Sequence, residues 1–72
     1  MTIKQKLEDK ILDDILTLRE QHKDHAEFKQ NVRDYFRNLL EEVQRKGAVP
    51  YHDGTIPCTP SMLGILIQRY SV

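Results

Sequence analysis

The sequence predicts an all-α protein: an antiparallel helical hairpin over about 3–21 and 25–46, an ordered Pro/Gly loop over 47–59, and a short apolar helix over 60–70. Three observations predict it. Two long stretches carry apolar residues at steps of three and four, the spacing that gathers side chains on one face of a helix. All three prolines and two of the three glycines fall between residues 47 and 60, which excludes a helix there. Beyond them Thr59-Pro60 heads a last apolar run, a capping residue followed by proline at the first helical position.

In the first helix Ile3, Leu7, Ile11, Ile15 and Leu18 form one stripe, with Thr2 or a neighbour placed to cap it. Leu12 and Leu16 sit to one side of that stripe and widen the apolar face, so the helix is expected to pack against two surfaces. Asp9, Asp13 and Glu20 lie on the far flank. The stripe lapses over Gln21–Ala26, where Asp24 and Glu27 have the spacing of a capping box; one bent helix is the rival reading.

The second helix carries the strongest pattern of the chain: Phe28, Val32, Tyr35, Phe36, Leu39, Leu40 and Val43. It stops at Gly47, with Arg45 and Lys46 in its last turn, where the helix dipole favours cations. Glu41–Arg45 and Glu42–Lys46 are four apart in the favourable order.

The loop contains Asp53-Gly54, a type I′ turn signal between two arms that each hold a proline. An ordered loop with a tight turn is expected, with a short two-stranded ribbon as the most it could form. In the final segment Met62, Leu63, Ile65, Leu66, Ile67 and Tyr70 leave almost no polar face. Gly64 and the β-branched residues would allow a strand, but the Thr59-Pro60 cap favours a helix. This tail is expected to cover the wide face of the first helix or to dock into a partner chain.

Seventy-two residues make one small domain whose core needs good packing, a metal or a partner subunit. An internal disulfide is excluded because Cys58 is the sole cysteine, and a lone thiol suits a reducing cytoplasm. Eleven basic residues balance eleven acidic ones, which disfavours wholesale phosphate binding but allows a local patch. No apolar run has the length of a signal peptide or a membrane span, so a cytoplasmic protein without membrane attachment is expected.

No motif for catalysis or phosphate binding is present, and neither enzyme activity nor a cofactor is expected. His22, His25, His52 and Cys58 are the candidate metal ligands, but they lack the tight paired spacing of structural zinc sites. Cys58 with His52 as its base would be the candidate nucleophile; a half-buried structural thiol is the simpler reading. Lys29, Arg33 and Arg37 stand four apart and make a basic row. Such a row is a solvated face, an edge that meets acidic residues such as Asp9, Asp13 and Glu20, or a grip on nucleic acid. The surplus apolar residues Leu12, Leu16, Tyr35, Met62, Leu66 and Tyr70 point to a homodimer or another protein partner. The expected function is a protein–protein interaction or accessory regulatory module, with a small nucleic-acid-binding regulator as the alternative.

Overall fold

The computed structural model describes residues 2–52 and 54–71. Helix α1 spans Ile3–Gln21, α2 His25–Lys46 and α3 Pro60–Tyr70, with strands β1 (Ala48–Tyr51) and β2 (Gly54–Pro57) between α2 and α3. The expected all-α architecture is present, with α1 and α2 in contact as a hairpin. No helix among the described residues is long and apolar enough to cross a membrane.

Local chemistry sets most of the boundaries. Thr2 and Gln5 form a reciprocal cap: the Gln5 N–H donates to Thr2 Oγ1 at 3.1 Å, and the Thr2 N–H donates to Gln5 Oε1 at 3.0 Å. Helix α2 ends at Gly47, whose φ of 70° is a left-handed conformation that a side chain would strain. Thr59 caps α3 by accepting the Met62 N–H at 3.2 Å. Two expected local pairings do not form. Asp24 occupies the cap position of α2 without a side-chain hydrogen bond, and the Glu27 carboxylate instead lies 3.6 Å from His22 Nδ1. Of the two ion pairs expected near the end of α2, Lys46–Glu42 is present at 3.4 Å, and Glu41–Arg45 is absent among the described residues.

The segment read as an ordered loop is a two-stranded antiparallel hairpin, the ribbon that the prolines only just allow. Its register pairs Ala48 with Pro57, Val49 with Ile56, Pro50 with Thr55 and Tyr51 with Gly54. The Cys58 N–H donates to the Gly47 carbonyl at 3.0 Å, so that outer pair is hydrogen-bonded. Pair types alternate along an antiparallel ladder. Val49–Ile56 and Tyr51–Gly54 therefore carry the ladder bonds, and both prolines fall on pairs that ask for no N–H. Proline is tolerated here because of register. Gly54 is already a ladder residue, and His52 enters the turn with φ 41°. Asp53, half of the expected type I′ dipeptide, lies outside the described residues.

One core joins all five elements: Leu7 and Ile11 of α1, Phe28, Val32, Phe36, Leu39 and Val43 of α2, Val49 and Ile56 from the ribbon, Cys58, and Leu63 and Leu66 of α3. Strand β1 lies along α2 and β2 along α1, so the ribbon bridges the helix pair. Helix α3 packs mainly on α2, and it reaches α1 through an Arg69–Glu8 ion pair at 3.1 Å and a shallow apolar groove lined by Lys4, Leu7, Met62, Ile65 and Leu66. The tail therefore does not cover the wide face of α1. It closes the core one turn away from it, beside Lys4–Glu8.

Replacing Leu63 by Ala removes a fully buried side chain and is expected to lower unfolding stability by about 2–5 kcal/mol. Ile65→Ala, two positions on and 62% exposed, should change it by less than about 0.5 kcal/mol. Urea unfolding of both variants checks which face of α3 is the buried one.

Candidate interaction surface

Helix α1 presents three different sides. Its Leu7–Ile11 side is in the core, with Ile15 and Leu18 partly buried against it. A second side carries Asp14, on which two contacts converge. Lys10 Nζ lies 2.9 Å from Asp14 Oδ2, and Tyr35 donates its hydroxyl to the same oxygen at 2.6 Å. The second bond ties α1 to α2. It is charge-assisted and half-buried, so it fixes the rotation of α1 more firmly than a surface ion pair would. Burial first, then the hydrogen bond to Asp14 and the Asp14 charge, hold the Tyr35 proton well above the usual tyrosine range.

This polar side faces the tip of the ribbon across an open cleft of about 320 Å³, lined by Lys10, Asp13, Asp14, Pro50, Tyr51, His52 and Gly54. The Tyr51 and His52 rings lie 4.2 Å apart at its edge. Among the described residues the cleft mixes one ammonium with two carboxylates.

The third side of α1 holds Leu12 and Leu16, which are 43% and 55% exposed. The lock at Asp14 and the core contacts of Leu7 and Ile11 set the helix rotation that leaves them outside. They are the two residues of the expected interaction set that the fold leaves fully at the surface. Met62 and Tyr70 are half-buried against the core, and Tyr35 is engaged by Asp14. Leu66 corrects the expectation outright: at 2% exposure it is a core residue, because α3 turns its Leu63–Leu66 side toward α2. Ile65, on the opposite side of α3, is the exposed one and was not anticipated. Its position relative to Leu63 and Leu66, at about 100° per residue, carries that signal in the sequence.

Lys29, Arg33 and Arg37 follow one flank of α2, the first half-buried and the other two exposed. Among the described residues none of the three makes an ion pair, with Asp9, Asp13 or Glu20 or with any other carboxylate. The candidate metal ligands do not gather either. His22 faces Glu27, His25 is exposed, His52 is at the ribbon tip and Cys58 is in the core. Among the described residues no three His, Cys, Asp or Glu side chains come together in a metal-binding group. Burial pushes the Cys58 thiol up, the backbone at Leu63 opposes this, and the sulfur donates to the Thr59 carbonyl at 3.4 Å. That is the setting of an inert thiol.

Tyr35→Phe deletes the bond that ties α1 to α2 and should cost about 1–3 kcal/mol at neutral pH. The folded state holds the Tyr35 proton more tightly than the unfolded chain does. This contribution is therefore complete below about pH 10 and is lost as pH rises beyond it. Denaturation from pH 8 to 11 should show the wild type losing stability faster than Tyr35→Phe; parallel curves would contradict the assignment.

Comparison with protein-family models, with curated proteins and with solved structures finds no match to this chain.

Proposed function

We propose that this chain is a small non-catalytic interaction module that associates with itself through the Leu12–Leu16 side of α1. The observation that carries the reading is a contrast within one molecule. Twelve residues from all five elements and the β2–α3 connection close a core within the chain, yet Leu12 and Leu16, four apart on α1, stay about half exposed. Isolated surface leucines are ordinary. Two on one helical line, on a helix whose rotation is fixed by the core and by Asp14, make a presented surface. Binding, without a cofactor, is its mode of action, and a reducing cytoplasm suits its single buried thiol.

A second reading rests on its own observation. Arg33 and Arg37 are exposed beside Lys29 without a carboxylate partner among the described residues, so the row is available to phosphates. A small nucleic-acid-binding regulator would use it.

Light scattering over a concentration series is expected to show a monomer–dimer equilibrium for the wild type. Each leucine is already about half buried, so its burial in the dimer contributes about half of the ~1.5–3 kcal/mol of a fully exposed one; with four leucines in the dimer, Leu12→Ser with Leu16→Ser should weaken it by about a hundredfold, with the thermal unfolding midpoint of the monomer hardly changed. A monomer at every concentration would remove the self-association reading.

For the second reading, Lys29→Glu with Arg33→Glu should abolish any salt-sensitive retention of an RNA or DNA oligonucleotide and leave helicity unchanged. An oligonucleotide that the wild type does not retain at low salt would remove it.

A further inference from the structure

The geometry points to an antiparallel pairing of two copies of this chain along α1, in which Asp9 of each copy meets the partner's Arg19 on either side of a four-leucine centre. This rests on the self-association proposed above and adds the occupant, its direction and its register. Asp9, Leu12, Leu16 and Arg19 recur at steps of three, four and three, the spacing of a coiled-coil seam. All four are exposed, so the seam is complete on the surface of one chain.

Two-fold symmetry selects the direction. With the axis level with Asp14, Leu12 stands opposite the partner's Leu16, and Leu16 opposite the partner's Leu12. Asp9 and Arg19 are each five residues from that axis, so each carboxylate falls opposite a guanidinium. A parallel pairing in register would set Asp9 on the partner's Asp9 and Arg19 on the partner's Arg19, which repels at both ends. Neither Asp9 nor Arg19 has an ion-pair partner among the described residues of its own chain. The Arg19 guanidinium stands 5.2 Å from the centre of the Phe28 ring. Stacking there uses its face and leaves its in-plane N–H groups for a carboxylate.

The rim of the seam contributes less. Lys6 would meet the partner's Glu20, which favours the pairing, and Asp13 the partner's Asp13, which opposes it. Both contacts stay in water and are screened. The paired length of α1 is also short. At ~1.5 Å per residue the helix is roughly 28 Å long, so the area falls at or below the ~1,200 Å² of stable complexes. The dimer is therefore weak, and the charge layers decide its register more than its strength.

Charge exchange tests this on the full chain, followed by sedimentation velocity over a concentration series with circular dichroism as the folding control. Asp9→Arg alone and Arg19→Asp alone should each weaken the dimer by about tenfold or more. The double variant Asp9→Arg/Arg19→Asp restores both layers and should return to within about threefold of the wild type. An equimolar mixture of the two single variants should associate more tightly than either alone, because every layer in the mixed dimer is again of opposite charge. A parallel mixed dimer would match its charges too, so if the double variant folds poorly the direction is read from the single variants, which weaken the antiparallel pairing but not a parallel one. A double variant as weak as the singles, or a mixture no tighter than its components, overturns the antiparallel register. If Leu12→Ser/Leu16→Ser still abolishes association in that case, the surface stands and only its geometry falls. A wild type that never dimerises overturns both.

Discussion

The buried stripe of α2 is the constraint on which the other elements depend. Phe28, Val32, Phe36, Leu39 and Val43 run almost the full length of that helix, and α1, β1 and α3 each pack against it. A chain of this length has room for one such spine and little else. Each neighbour therefore contributes only a pair or so of its own buried residues: Leu7 and Ile11, Val49 and Ile56, Leu63 and Leu66. The ribbon strands pair with each other, β1 lies on the spine and β2 on α1, and the side of each element that faces away is left to water. Leu12 and Leu16 on α1 and Ile65 on α3 are exposed for that common reason, whereas Ile3, expected in the buried stripe of α1, is exposed because it opens that helix beyond the reach of the core.

What distinguishes α1 is that its orientation has a second determinant. The core contacts of Leu7 and Ile11, both fully buried, set the side that α1 turns to the core. The Tyr35 hydroxyl bond to Asp14 crosses from α2 and adds about 1–3 kcal/mol to that orientation, whereas the Lys10–Asp14 pair lies within α1 and turns with it. The core contacts and this polar bond together leave Leu12 and Leu16 at the surface.

Most of the architecture was legible because it is written in local chemistry. Thr2, Gly47 and Thr59-Pro60 act within a few residues of themselves, and the stripe of α2 needs no knowledge of its neighbours. The ribbon was harder. Two prolines in eight strand residues argue against pairing unless the register is known, and register follows from the Gly47–Cys58 bond that only the folded chain supplies. The apolar surface was half legible for a related reason. Periodicity assigns residues to sides of a helix, but it does not say which side a third element will cover. The tail was expected on the wide face of α1 or in a partner chain; it packs on α2 instead and takes Leu66 into the core. The Asp14–Tyr35 bond, separated by 21 residues, left no signal in either helix alone.

The two proposed uses of the surface sit on different helices, and this bears on how the molecule could work. The leucine seam belongs to α1 and the basic row to α2, so association through the first consumes none of the cations of the second. Two-fold pairing would carry two copies of the Lys29–Arg37 row in one assembly. A row of three cations binds phosphates weakly by itself, but two rows fixed in one dimer bind as a unit once the first is engaged, with an effective concentration set by their separation. A weak dimer would then be drawn together by any polyanion long enough to span both rows, since a ligand that binds only the paired state shifts the equilibrium toward it. Self-association and phosphate binding are in that case one coupled equilibrium, and the short seam is what leaves the coupling room to act.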